Sequence, residues 1–403
     1  MKLTVIGGGG KISSAVLYEL LFANTHMEVA LYGRNEQKIK NTLTICGRFN
    51  RGTARIYRET NLDTALQDAN TVFFCATDGT GDWGGYRSLG INNGAFVLYL
   101  AEKMRVLCPD AWFLVATNPP DIPLAAVHMR FGSEKVVGLC NAPLFNEKVL
   151  CAWLGCQEEE LNANAVGVNH EYWYYDIRLN GQSVYDRLRE ELQSYTRERI
   201  QGPFHEQFPE WGLGFINNAY LFKHCGYLPG PVGGSNRYQN LPIERSEMWK
   251  IAFRPHAEEF EKLIQATSNE EILRVTRSCA AHFPLYITDV ILALNALKDK
   301  TLPLLVINQG AWKEYPAQVM LQLHCHIRDG NIIRPDVSAV PPYIKAVLSS
   351  RILQNHLLSR ALANQDEAMA VQAMTLYPER LPGEDLDGFL SRHPEIEPFI
   401  PLN

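Results

Sequence analysis

The chain has 403 residues, 46% of them hydrophobic and 20% charged, with a formal net charge of −6 at pH 7. That much apolar material builds a sizeable core, in two domains or in one large elaborated one. The acidic balance, without a basic block, argues against a nucleic-acid partner, and no apolar run is long enough to cross a bilayer, so no membrane role is expected.

Nine cysteines spread over this length make no disulfide framework and suit free thiols in a reducing, cytoplasmic setting. The opening MKLTVI runs straight into glycines, as a first strand does and a signal peptide does not. Apolar residues at Ile12, Ala15, Val16, Leu17, Leu20 and Leu21 then mark a helix. Strand, glycine turn and helix form the context of a dinucleotide-binding turn. Gly7, Gly8, Gly9 and Gly10 would let the backbone approach a pyrophosphate, with Lys11 and Ile12 opening the helix whose N-terminus faces it. The match to G-x-G-x-x-G is partial, because Ile12 stands where a third glycine would be; a plain glycine-rich turn is the alternative.

Residues 28–32 read as a second strand. At its tip an NAD site usually places a carboxylate for the ribose hydroxyls. Here the residues are Gly33-Arg34-Asn35. Arg34 can stack on adenine or pair with a 2′-phosphate, which leaves NAD and NADP both open, or it is simply the first solvated residue of a helix over 35–48. Residues 71–76 (TVFFCA) form a buried strand whose end, Ala76 and Thr77, joins the cofactor-binding set. A polar, glycine-rich loop over 77–90, a helix over 92–107 and a strand over 112–116 lead to Thr117-Asn118-Pro119-Pro120-Asp121. Ligands of open α/β sheets sit at the carboxyl ends of strands, so Asn118 can reach ribose or substrate hydroxyls; a turn residue before proline is the alternative. Residues 122–130 read as a helix and 135–139 as a strand. This alternation predicts an α/β fold: a Rossmann-type, doubly wound parallel sheet over residues 1–165. An α+β domain for substrate, metal and oligomerisation is expected over 166–403.

The chain is organised around residues 136–170. Val136-Val137-Gly138-Leu139-Cys140-Asn141 reads as a buried strand that presents a thiol and an amide, and Val166-Gly167-Val168-Asn169-His170 as one that ends in an amide and an imidazole. A thiolate and a neutral imidazole suit a borderline divalent metal, and two protein ligands leave positions open for chemistry. On the residues alone, a small core thiol and a satisfied imidazole compete with that reading.

The glycine-rich first turn, Thr117-Asn118-Pro119, Gly138-Leu139-Cys140-Asn141-x-Pro143, Gly167-x-Asn169-His170 and Asn308-Gln309-Gly310 together resemble glycoside hydrolase family 4. The resemblance spans nearly the whole sequence. It implies a fold related to lactate and malate dehydrogenases, and NAD and manganese as cofactors. The family departs from two-carboxylate glycosidases: the dinucleotide takes a hydride from C3 of the sugar, the metal stabilises the enediolate, a base removes the C2 proton, the C1 substituent is eliminated, water adds and the hydride returns. By this match Cys140 and His170 are the metal ligands, and Asn118 and Asn169 hold sugar hydroxyls. Asn141 stands where α-specific 6-phospho-glucosidases carry an aspartic acid, which points to 6-phospho-β-glucosidase-like activity. The resemblance implies a tyrosine as C2 base: Tyr238, in the Gly/Pro-rich stretch 226–242, is the candidate, with Arg237 lowering its pKa or holding substrate, Tyr227 and Tyr220 as rivals, and packing within the loop as the alternative role. Two departures bear on specificity. The loop between 77 and 92 lacks the family's arginine for the sugar's distal group, with Asn92 near its place and Arg87 or Arg237 as substitutes, and no carboxylate follows the second strand. The family's habit is homodimers and homotetramers acting on small glycosides, some 6-phosphorylated. A hydroxy-acid or sugar dehydrogenase of the same superfamily and a non-catalytic dinucleotide sensor are the alternatives.

Overall fold

The structure, a computed structural model, describes residues 1–50, 52–76, 86–192, 209–230 and 283–376. The first half is the expected alternation: β1 (Lys2–Ile6), α1 (Lys11–Phe22), β2 (Met27–Tyr32), α2 (Glu36–Phe49), β3 (Ala54–Arg58), α3 (Leu62–Leu66), β4 (Thr71–Phe74), α4 (Tyr86–Leu107), β5 (Trp112–Val115), α5 (Asp121–Phe131), β6 (Val136–Gly138) and α6 (Ala142–Leu154). Its strands are parallel and lie in the order β3-β2-β1-β4-β5-β6, the arrangement of dinucleotide-binding folds. Strands such as β4 (TVFF) are buried at every residue, which is why they are apolar throughout rather than alternating.

The second half adds antiparallel strands to the same sheet. It comprises β7 (Leu161–Val168), β8 (Glu171–Leu179), β9 (Gln182–Ser183), α7 (Tyr185–Leu192), α8 (Pro209–Cys225), β10 (Leu228–Pro229), α9 (Phe283–Leu294), β11 (Lys300–Ile307), β12 (Met320–Arg328), β13 (Asn331–Ile333), α10 (Pro342–Asn364) and α11 (Glu367–Thr375). β11 bridges to β6 through Leu305 and Gly138, and β12 meets β7 through Gln322 and Gly167. Among the described residues thirteen strands form one sheet. The expected division at 165/166 falls inside β7.

Helices cover both faces. The core with α4, α5 and α6 takes Leu305, Tyr172 and Tyr174, and the core with α1, α2 and α9 takes Leu304 and Trp173. The aromatic run of β8 is therefore core on both faces. One expectation needs correction. The loop placed over 77–90 ends earlier, because α4 begins at Tyr86 and carries Gly90 and Gly94 within it. Gly94 is there for contact: a Cβ at that position would lie 2.4 Å from Leu362 Cδ2 of α10. β3, α3 and α6 are elements that the sequence reading did not name.

Candidate active site

The turn after β1 is shaped by what surrounds it. The N–H groups of Gly7 and Gly8 both donate to Tyr32 O, at 2.9 and 3.1 Å, so the turn is tied to the end of β2. Gly7 has φ 101°, and a Cβ there would lie 3.0 Å from Ala76 N at the end of β4. A Cβ on Gly8 would lie 2.8 Å from Leu31 Cβ, and one on Gly9 2.9 Å from Lys38 Cβ. Only glycine allows this approach. Ser13 Oγ donates to the carbonyls of Gly7 and Gly10 at 2.9 and 2.8 Å, which turns them inward. The N-cap of α1 is Gly10, with no side-chain cap, so the first-turn N–H groups face the turn. This cradle fits a pyrophosphate on geometry and on dipole. Ile12 is half-buried, Gly33 packs near Gly8, and Arg34 is exposed. Asn35 is the N-cap of α2: its Oδ1 accepts from Lys38 N at 3.0 Å, so the helix starts one residue later than expected. Thr77 lies outside the described residues, as do Arg237 and Tyr238.

The carboxyl ends of the next strands converge beside this turn. Thr117 Oγ1 donates to Ala76 O at 2.7 Å, which ties the end of β5 to the end of β4. Asn118 precedes a cis peptide bond to Pro119. Asn169 Nδ2 donates to Asn118 Oδ1 at 3.1 Å, so the two amides expected to share a sugar meet side chain to side chain.

Cys140 and His170 are brought together as well. The backbone N–H groups of Ala142 and His170 both donate toward the Cys140 sulfur, and the thiol is buried. Burial pushes the thiol up to about 12, with nearby Asp121 adding to the rise and the two N–H groups opposing it. Burial also lowers His170 to about 4, which keeps the imidazole neutral and able to bind metal. Among the described residues no group of three His, Cys, Asp or Glu side chains gathers to hold a metal. A soft thiol and a neutral imidazole on two residues that touch through the His170 N–H still fit a borderline divalent cation, whose charge would displace the thiol proton. Asn141 is the N-cap of α6, with no side-chain cap bond to the helix.

His170 owes its place to a two-residue hairpin. β7 and β8 pair from Val168–Glu171 outward, and Asn169-His170 is the turn. His170 has φ 62°, a left-handed conformation that a non-glycine residue adopts at a cost. A Cβ on Gly167 would lie 2.2 Å from Glu171 O and 2.4 Å from Tyr172 Cα, so the hairpin closes only over glycine.

Behind this turn lies a set of polar residues that the sequence reading missed. Asp121 Oδ2 accepts from Asn169 N at 3.2 Å and from Asn355 Nδ2 at 2.8 Å. Glu171 Oε2 accepts from Arg351 Nε at 2.5 Å, with both side chains at most 6% exposed. Arg351 and Asn355 stand one turn apart on α10, so this helix braces both sides of the His170 turn. Asp121 next to Asn118 was the available signal; Arg351 and Asn355 gave none, because their partners lie far away in sequence.

The strand order, the glycine-turn cradle and the paired amides at the strand ends define a Rossmann-type dinucleotide-binding fold with a polar cleft. Comparison with known proteins identifies the family. The model of the family 4 glycosyl hydrolase matches residues 76–156 and that of the family 4 glycosyl hydrolase C-terminal domain matches residues 165–379. The chain belongs to glycosyl hydrolase family 4. It is 23% identical to an α-galactosidase of Bacillus subtilis over 292 residues, which is 68% of this chain and 62% of that enzyme. It is 22% identical to an α-galacturonidase of Bacillus subtilis over 421 residues, covering 93% of this chain and 92% of that enzyme. Its fold is similar to that of a 6-phospho-β-glucosidase from Thermotoga maritima solved with manganese, NAD+ and glucose-6-phosphate, with a TM-score of 0.76, 18% identity and 98% of each chain covered. Among the described residues no helix is long and apolar enough to cross a membrane.

Proposed function

We propose that the chain is a glycosidase that cleaves O-glycosidic bonds through oxidation at C3, deprotonation at C2, elimination and return of the hydride, using a nicotinamide dinucleotide and manganese. The observation that carries this reading is the contact of the His170 backbone N–H with the Cys140 sulfur, beside the Asn118–Asn169 pair. When bound, the dinucleotide supplies a hydride acceptor and donor and the metal supplies Lewis acidity toward the sugar's C2 and C3 oxygens. The chain's own residues bind and orient. The first-turn N–H groups of α1 hold the pyrophosphate, with Gly33, Arg34 and Ala76 around the nucleotide. Cys140, as a thiolate, and His170, neutral, hold the cation. Asn118 and Asn169 bind the sugar hydroxyls, each amide oriented by its hydrogen bond to the other. Tyr238 takes the C2 proton, with Arg237 favouring its phenolate.

The finer reading is activity like that of a 6-phospho-β-glucosidase. Asn141 supports it, since an amide cannot protonate a leaving group as an aspartic acid would. A second reading is a glycoside with a carboxylate, not a phosphate, at C6. It is favoured by Asn92 near the place of the family's distal-group arginine and by the end-to-end alignment with an α-galacturonidase.

A glycoside panel in deuterated water separates these readings. It pairs 6-phosphorylated sugars with uronides in both anomers, with dinucleotide and manganese under reducing conditions. Deuterium at C2 of the released sugar without net cofactor reduction is the expected result, and the best substrate names the C6 group. Steady accumulation of reduced cofactor would point to a dehydrogenase. Hydrolysis without C2 exchange would overturn the elimination mechanism.

A further inference from the structure

A dinucleotide enzyme reads the adenosine ribose at the tip of its second strand. An unmodified ribose has hydroxyl groups to donate, and a carboxylate at that tip accepts them. A 2′-phosphate presents anionic oxygens, and a guanidinium matches them in charge and in geometry.

In this chain the tip is Gly33-Arg34-Asn35, and the side-chain acceptors of Asn35, Glu36 and Glu59 beside it have other partners. Asn35 Oδ1 caps α2 through Lys38 N at 3.0 Å. Glu36, in the first turn of α2, is held by Lys40 Nζ at 3.0 Å and by Arg58 Nη1 at 2.8 Å. Glu59 lies beside Leu31, to whose carbonyl its N–H donates at 2.9 Å. Its carboxylate accepts from Thr60 N and Asn61 N at 2.7 and 2.9 Å. The cations divide the other way. Lys40 and Arg58 share the Glu36 carboxylate, but Arg34 and Lys38 are exposed and make no ion pair among the described residues. The Lys38 stem lies against the glycine turn, 2.9 Å from where a Cβ on Gly9 would be. Among the described residues, the tip therefore offers two cations without an ion pair and no carboxylate without a partner.

We propose that Arg34, assisted by Lys38, is a reader of the cofactor's 2′-phosphate, so that this chain takes NADP in preference to NAD. The inference rests on the dinucleotide reading above and adds the choice between its two forms. Its test is titration of the full chain with NADP+ and with NAD+, followed by tryptophan fluorescence or calorimetry, with no substrate present. NADP+ is expected to bind at least tenfold more tightly, and adenosine 2′,5′-bisphosphate to compete better than 5′-AMP. In Arg34→Ala the NADP+/NAD+ affinity ratio falls at least tenfold, in Lys38→Ala it falls less, and Arg34→Lys restores part of it. Arg34 is exposed, so these variants fold. NAD+ binding as tightly as NADP+ would overturn the 2′-phosphate reading and leave the glycosidase reading standing. A ratio unmoved in Arg34→Ala would also overturn it. Failure of both nucleotides to bind would overturn both.

Discussion

At the residue scale the proposed metal position turns on Cys140. Burial holds its proton up to about pH 12, and a cation must remove that proton to gain the thiolate. Manganese uptake should therefore release about one proton, and the apparent Kd should fall about tenfold for each unit of pH rise across the neutral range. The sign is fixed: a ligand that must lose a proton binds metal more tightly as pH rises. His170 adds no opposing trend there, because burial already keeps it neutral well below pH 7. Electron paramagnetic resonance of free manganese across a pH series measures this slope. In Cys140→Ser the affinity should fall by more than the ~10–100-fold that loss of a merely supporting residue costs, and the pH slope should flatten. Unchanged affinity would remove Cys140 from the ligand set.

At the element scale the β7–β8 hairpin and α10 act as one support. Gly167→Ala places a methyl 2.2 Å from Glu171 O, against backbone rather than a flexible side chain. Its cost should lie at or beyond the ~1–3 kcal/mol typical of overpacking, read as a lower urea midpoint. Arg351→Met leaves the Glu171 carboxylate buried without its guanidinium and should cost ~3–5 kcal/mol, with Glu171→Gln added to it recovering much of the loss. Asn355→Ala removes one of the donors that hold Asp121 behind Asn169 N. It should weaken manganese binding by ~10–100-fold for a smaller loss of stability, because it loosens the turn that carries His170. Equal manganese affinity in wild type and Asn355→Ala would make α10 a packing helix only.

This scale also separates what the sequence revealed from what it hid. β1, the glycine turn, β6 and the Asn169-His170 turn were legible because each is a local pattern: an apolar run with its punctuation. Meeting of Cys140 and His170 was suggested by motif and resemblance, and the structure brings them into contact through the His170 N–H. The start of α4 was misread because a glycine argues for a loop, and Gly90 lies inside the helix that begins at Tyr86. The bracing bonds were invisible because they join residues 180 and 234 apart in sequence, and nothing in an amphipathic helix marks which polar residue turns inward. Tyr238 and Arg237 lie outside the described residues, so their roles still rest on the resemblance.

At the scale of the whole molecule, one sheet runs through both family-matched segments. The parallel strands carry the dinucleotide cradle and Cys140, and the antiparallel strands carry His170. β11 joins them at Leu305–Gly138 and β12 continues to Gly167. A metal held by one ligand from each half draws on the stability of both. Ligand added at 100 times its Kd contributes ~2.7 kcal/mol to the folded state. Saturating manganese and dinucleotide should thus each raise a single melting transition, and chelation with EDTA should lower that same transition. The shift should be absent in Cys140→Ser for the metal and present for the dinucleotide, because the cradle residues follow the ends of β1, β2 and β4 rather than that of β6. Differential scanning calorimetry makes the comparison. Two resolved transitions, with only the upper or the lower one moving with metal, would mean that the halves unfold independently, and that the continuity of the sheet does not couple the cradle to the metal position.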